Sequence, residues 1–257
     1  MTASNPGNPR QLSGLDELLA VRSDDFARAV ADPRTVGSWW AFSDAVGWVS
    51  PSRRVPGRAH LTVLGRPATA AALLRALIDD HGISSVTLPR DSDAHLPTYR
   101  LDPRNDWEWF VTRAAPPTQP GEHAVDWLTQ ADDEEVRELL ATWSPRHDVD
   151  PGDPDVRRWA GVRDRSNSST GTLIAAAAFV EHVPGVPHLA SVVTHGEHRG
   201  HGLGAAVTGW VTRTLLADGQ DWVTLGMYSD NDVARRMYRR LGYANDHHFT
   251  SGRLLPR

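Results

Sequence analysis

The stretch that most constrains this chain is His198–Ala205, HRGHGLGA. Gly200, Gly202 and Gly204 alternate between an apolar run, HLASVVTH, and a long run with helical spacing, AAVTGWVTRTLLADG. Glycine tolerates positive φ and lets a backbone approach a ligand closely. A loop of this kind at the start of a helix turns free N–H groups outward, where the helix dipole also favours an anion. Arg199 adds a fixed cation with fork geometry. Together these features describe a pyrophosphate site. Gly200, Gly202 and Ala205 also fit the dinucleotide pattern G-x-G-x-x-A. That reading wants an acid closing the next strand about 20 residues on. Asp221 has the distance but precedes its strand, and Asp230 ends the strand but lies too far along. Little chain remains for a second nucleotide-binding half.

The rest of the chain supplies the setting. The break is at RAAPPTQPGEH, Arg113–His123, where prolines and a glycine separate two patterned regions. We expect a flexible tail over 1–14, a first domain over 15–115, a linker over 116–122 and a second domain over 123–257. In the first half, Leu15–Ala31 has helical spacing, and the Trp-rich stretch after it reads as irregular. AHLTVLG reads as a strand, RPATAAALLRALIDDHG as a helix with Pro67 at its start and Gly82 at its end, SSVTLPR as a strand and WEWFVTRA as a final strand. In the second half, HAVDWLT is a short strand and ADDEEVRELLATWS a helix with an acidic first turn. WAGVRD and GTLIAAAAFVEH read as a hairpin around RSNSST, followed by HLASVVTH as a strand and a helix over Leu203–Leu216. DWVTLGMYS is the next strand, NDVARRMYRRLG the next helix, and YANDHH and FTSGRLL two short terminal strands. The expected fold class is α/β with a mixed sheet.

A second motif narrows the function. In SDNDVARRMYRRLGY, Asn231, Ala234, Tyr238, Gly242 and Tyr243 follow N-x-x-A-x-x-x-Y-x-x-x-G-Y. With RGHGLG, Arg199–Gly204, this resembles the GNAT superfamily of N-acetyltransferases, over roughly Ala124 to Leu255. The resemblance implies the acyl-CoA N-acyltransferase fold. It also implies acetyl-CoA as co-substrate, bound where HLASVVTH and DWVTLGMYS splay apart, and transfer of acetyl to a primary amine by direct attack in a ternary complex. It implies that the main chain of Val192, Val193 and Thr194 pairs with the pantetheine arm. Arg199, Gly200, His201, Gly202, Leu203 and Gly204 would hold the pyrophosphate, Asn231 and Ala234 would contact the cofactor, and Tyr238 would be the general acid. Many family members carry a Glu base upstream on the strand before the glycine loop. HLASVV has no acid, so Glu181 is the candidate, with His182 and His188 as alternatives. The missing Glu also keeps a second reading open, a non-catalytic acyl-CoA-binding or sensor protein. The strand–helix–strand order in the first half, without either motif, suggests a degenerate GNAT-like copy in tandem; an unrelated α/β cap is the alternative.

Composition excludes several classes. The chain has 257 residues and no Cys, so disulfides, thiolate metal sites and an acyl-cysteine intermediate are ruled out. All 27 basic side chains are Arg, so the protein has no side-chain amine to acylate. Residues 1–120 carry no net charge and residues 121–257 carry the whole net charge of −5, which leaves no basic face for nucleic acid. The first residues lack a basic segment followed by an apolar core, and no apolar run is long enough for a membrane span. A cytoplasmic protein is expected, with no membrane or nucleic-acid partner; a homodimer is left open. His195, His198 and His201 recur every three residues, but no carboxylate or Cys completes a ligand set, so no metal is expected. Asp148, Asp150, Asp153 and Asp155 read first as a solvated loop, and as a receptor for a cationic amine second. Trp143 and Trp159 flank that loop as candidate walls of an acceptor pocket.

Overall fold

A computed structural model describes residues 8–52, 57–166 and 171–257 of the chain. It divides into two compact units. One comprises 1–109, 228–230 and 246–257, the other 110–227 and 231–245.

The first half opens with β1 (Arg10–Leu12), α1 (Leu15–Val21) and α2 (Asp25–Val30). The expected single helix over Leu15–Ala31 is broken because Asp24 caps α2, accepting from the amides of Phe26 and Ala27. Part of the expected tail, Arg10–Leu12, pairs as a strand with the Trp-rich stretch; residues 1–7 lie outside those described. That stretch is a hairpin of β2 (Ser38–Phe42) and β3 (Ala45–Pro51). Ser43 turns it with φ 55 and no glycine. β3 is buried at every position from Ala45 to Val49, so the alternation that marks a half-buried strand is absent from it, whereas β2 alternates and buries Trp39 and Ala41. Next come β4 (Ala59–Leu64), α3 (Pro67–His81), β5 (Ile83–Pro89), β6 (Tyr99–Leu101) and β7 (Asn105–Thr112). Pro67 and Gly82 (φ 59) stand at the two ends of α3 as expected.

The second half contains β8 (Val125–Trp127), α4 (Asp133–Trp143), β9 (Val156–Asp164), β10 (Thr172–Val180), β11 (His188–Thr194) and α5 (Leu203–Ala217). It ends with β12 (Val223–Tyr228), α6 (Asp232–Arg240) and β13 (Ala244–Pro256). The two short terminal strands expected from sequence are thus one. The turn between β9 and β10 lies partly outside the described residues.

Each unit repeats one scheme. In the first, β1/β2, β2/β3 and β3/β4 are antiparallel, and β4 is parallel to β5 through the crossover α3. In the second, β8/β9, β9/β10 and β10/β11 are antiparallel, and β11 is parallel to β12 through α5. The strand closing each scheme comes from the far end of the other half. Residues 249–253 of β13 pair with β5, and Phe110–Thr112 of β7 belong to the second unit, where β7 is the outer neighbour of β12. The expected borders at 116–122 and 123–257 therefore differ from the observed division. Alternating apolar strands announce that they are strands; they do not announce which parallel neighbour they join.

Residues 116–122 are held against α5. Glu122, buried, forms an ion pair with Arg213 and accepts from the Gln119 amide at 2.7 Å; Arg213 also donates to the Pro116 carbonyl. Gly209 allows this approach, since a Cβ there would stand 3.0 Å from Glu122 Oε1.

The AAAA run of β10 is legible in three dimensions. Ala175 and Ala177 face a core with Val207, Val211 and Leu215 of α5. Ala176 and Ala178 face one with Val136, Leu139 and Leu140 of α4. Small side chains on both faces let helices pack closely on either side of the strand.

Candidate active site

The site is built on the strand before the glycine loop. Ala176 pairs with Val193, and Ala178 with Ala190, so the single residue Ala177 opposes both Ser191 and Val192. This is a β-bulge on β11. Ser191 has φ 50, a conformation that costs a non-glycine residue about 1–2 kcal/mol. Its hydroxyl offsets that cost. Ser191 Oγ accepts from the amides of Asp148 (3.2 Å) and Val149 (3.0 Å) and donates to the Val149 carbonyl (3.0 Å). Net stabilisation of about 1 kcal/mol per bond is enough to hold the bulge. Nothing in the sequence singles out Ser191.

Beyond the bulge β11 leaves its parallel neighbour. β11 and β12 are paired only at His188↔Thr224 and Leu189↔Leu225. From Ala190 onward, the edge of β11 facing β12 is unpaired, which leaves a wedge open. On its other edge, the His195 amide donates to the Ile174 carbonyl. In an antiparallel ladder, bonded and non-bonded pairs alternate. Counting back from that bond, Val193 is bonded to β10 and Thr194 is turned toward the wedge, while Val192 sits in the bulge itself. Of the three residues expected to offer main chain there, Val193 is turned to β10, and the carbonyl of Thr194 accepts from Arg199 Nε at 3.3 Å, which leaves its N–H.

The glycine turn follows after one 3-10 turn at Gly196–His198. Gly200 and Gly202 both have φ 81, and a Cβ built on either meets nothing within 4 Å. Conformation, not crowding, requires glycine at these two positions. The first helical bond of α5 runs from the Ala206 amide to the Gly202 carbonyl, and Gly202 caps without a side chain. The amides of Leu203, Gly204 and Ala205 thus lack intrahelical acceptors and face the helix N-terminus. His201 is exposed. Gly204 allows close packing: a Cβ would lie 3.4 Å from Met237 Sδ and 3.6 Å from Thr194 Oγ1. The end of β11, the start of α5 and the middle of α6 therefore meet here.

Arg199 is more tightly held than expected. Its Nη2 donates to the Trp143 carbonyl (2.9 Å), its Nε donates to the Thr194 carbonyl (3.3 Å), and its guanidinium lies 5.7 Å from the Trp143 ring centre. Trp143 underlies the loop, because a Cβ on Gly196 would come within 2.1 Å of its ring. Trp143 supports the glycine loop, and Trp159 is buried against α4, so neither stands as a wall of an acceptor pocket. The His195 ring also packs against Trp143, tilted by 53° at 4.7 Å between ring centroids. Among the described residues no cluster of three or more His, Cys, Asp or Glu could hold a metal.

From α6 come the motif residues. Asn231 Oδ1 accepts from the Ala234 amide at 3.0 Å, capping the helix. Ala234 and Met237 are half-buried against the core, and Tyr238 is buried 6.0 Å from Phe110 and 6.1 Å from Tyr243 between ring centroids. Burial pushes the Tyr238 phenol well above its usual range, so it stays protonated at neutral pH. Among the described residues it makes no hydrogen bond. Tyr243, by contrast, is bonded to Thr212 Oγ1 at 2.7 Å.

At the closed end of the wedge, Glu181 is already engaged: its carboxylate accepts from Arg157 Nε at 3.0 Å. His182 Nδ1 lies 2.8 Å from Asp155 Oδ2, His188 Nδ1 lies 2.9 Å from Thr224 Oγ1, and the two rings are 5.5 Å apart. Much of the acidic loop is internally bonded. Asp150 meets His147 at 3.0 Å, Asp153 accepts from the Asp150 amide, and Asp155 holds His182.

Residues 168–251 match the model of the FR47-like protein family. Three solved structures share the architecture. A Novosphingobium aromaticivorans protein described as an acetyltransferase of the GNAT family is 22% identical, with a TM-score of 0.52 over 76% of this chain and 84% of that one. A GCN5-related N-acetyltransferase from Kribbella flavida is 18% identical, with a TM-score of 0.55 over 94% and 95%. Another from Sphaerobacter thermophilus is 16% identical, with a TM-score of 0.54 over 87% and 81%. The fold is the GNAT fold. A search of curated proteins finds no match. Within the GNAT fold, the matched segment contains the bulge, the wedge, the glycine turn and Tyr238. No helix among the described residues is long and apolar enough to cross a membrane.

Proposed function

We propose that the chain is an acetyl-CoA-dependent N-acetyltransferase that acts on a primary amine by direct attack in a ternary complex. The observation that carries this is the unpaired edge of β11, followed after one 3-10 turn at Gly196–His198 by the glycine turn and the free amides of α5. It offers an extended thioester arm strand-like partners at Val192 and Thr194, and offers a pyrophosphate the N–H groups of Gly200–Gly204. Asn231 and Ala234 line the start of α6, with Asn231 Nδ2 left to meet the arm. Tyr238 has the protonation state of an acid. As the amine nitrogen bonds to the carbonyl carbon and the C–S bond breaks, Tyr238 Oη supplies the proton that the departing sulfur takes.

The first unit we read as a degenerate copy with no acyl-CoA of its own. Its α3 carries a resident carboxylate where α5 carries free amides. Asp44 Oδ2 accepts from the Arg66 amide (2.9 Å) and Oδ1 from Thr69 Oγ1 (2.7 Å). One observation favours the non-catalytic reading: Glu181, the only carboxylate expected to serve as base, is held by Arg157.

Calorimetric titration with acetyl-CoA tests the binding, and release of free thiol across a panel of amines tests the transfer. The protein contributes no thiol background, having no Cys. Binding with thiol release supports the transferase; binding with none across the panel supports the sensor; no binding contradicts both.

A further inference from the structure

We infer that His188, rather than a carboxylate, is the general base, poised by Thr224 with Nε2 unprotonated. This deepens the acetyltransferase reading and rests on it.

The first argument is position. An arm that starts at the glycine turn and follows the main chain of Thr194 and Val192 ends where the wedge closes. The last pairs there are Leu189↔Leu225 and His188↔Thr224. His188 lies two residues from Ala190, about 7 Å along the strand. It shares a sheet face with Ala190 and, on the neighbouring strand, with Val180.

The second argument is protonation. Thr224 has one hydroxyl hydrogen, and Thr224 Oγ1 donates it to the Pro187 carbonyl at 3.1 Å. A carbonyl can only accept. With the hydroxyl hydrogen directed to Pro187, Thr224 Oγ1 accepts toward His188, and that arrangement puts the proton on His188 Nδ1. In a neutral imidazole this leaves the lone pair on Nε2, the state required to take a proton. Behind His188, the His182 ring sits 5.5 Å away with Nδ1 against Asp155. Ionisable groups at this end of the sheet include His188, His182, Asp155, Glu181 and Arg157.

The step balances. The amine nitrogen bonds to the carbonyl carbon while the C–S bond breaks. The proton lost by the amine goes to His188 Nε2, and the sulfur receives one from Tyr238.

Two measurements test this. Nitrogen-15 imidazole spectra of the wild type, with His188→Asn assigning the signal, should show His188 as the Nδ1–H tautomer; the Nε2–H tautomer would overturn the proposal. Thiol release from acetyl-CoA is then followed with methylamine as a generic acceptor. His188→Asn, which keeps a donor for Thr224, and His188→Gln should each lower kcat by about 10²–10⁴-fold. The dissociation constant for acetyl-CoA should be unchanged, and added imidazole should partly restore the rate. An unchanged kcat, or loss of acetyl-CoA binding in both variants, would overturn it, the latter by making His188 a strand clamp. A wild type that does not bind acetyl-CoA would instead be the failure of the acetyltransferase reading.

Discussion

The β4–α3–β5 crossover and the β11–α5–β12 crossover have the same topology and opposite states. The first is closed. β4 and β5 stay paired through His60↔Ser85, Leu61↔Val86 and Thr62↔Thr87, and His60 bridges to Ser85 Oγ (2.8 Å) and Thr87 Oγ1 (3.1 Å). The helix that follows starts on proline with Asp44 at its N-terminus. The second is open. A bulge at Ser191 ends the pairing after two residues, and the helix begins on glycines with free amides. The two crossovers therefore differ in two local features, interruption of one parallel ladder and an unfilled helix N-terminus. The overall arrangement of strands and helices is common to both units.

The largest effect expected is from Gly202→Glu, which places a carboxylate and a strained φ at the open turn. Acetyl-CoA affinity should fall by more than about 100-fold, since both anion repulsion and loss of the αL turn act against binding; titration with acetyl-CoA reads it. Tyr238→Phe should lower kcat by about 10²-fold without changing acetyl-CoA affinity. Its thermal midpoint should stay near that of the wild type, because the phenol makes no hydrogen bond among the described residues. Equal loss of kcat and binding would instead make Tyr238 a packing residue.

Ser191→Ala should destabilise the second unit by about 1–3 kcal/mol in urea unfolding, because it keeps the strained backbone and removes three hydrogen bonds. Amide exchange at Asp148 and Val149 should rise. Unchanged exchange there would show that the loop is held by other contacts.

The smallest effect is expected at Asp44. Partial burial raises its pKa, but hydrogen bonds from Arg66 and Thr69 outweigh this and hold the carboxyl at about 2, below its usual 3.8. A depressed pKa stabilises the fold above the unfolded value and loses that contribution as pH falls from about 4 through 2. The side chain is a third exposed, so solvent screening keeps the effect small. Asp44→Asn should flatten acid unfolding in that window and cost about 1 kcal/mol or less at neutral pH. An identical acid limb in wild type and variant would show that Asp44 does not hold α3.

Local signals gave the glycine turn, α5, α6 and Tyr238, because each is carried by residues adjacent in sequence. Three other features were hidden because they depend on distant partners. The bulge is one serine whose bonds reach 42 and 43 residues back, to Val149 and Asp148. In the Trp-rich hairpin, β3 lost its alternation by being buried on both faces. The exchange of β7 and β13 between units depends on which of several similar strands meet. Arg199 and Asn231 matched their motif, yet much of what their side chains do is structural, bracing a loop and capping a helix.

The central claim is that one unit binds acetyl-CoA and the other does not. Calorimetric titration of the wild type tests it most directly through stoichiometry. The account predicts one acetyl-CoA per chain, with all binding lost in Gly202→Glu. Two per chain, or binding that survives in Gly202→Glu, would contradict it.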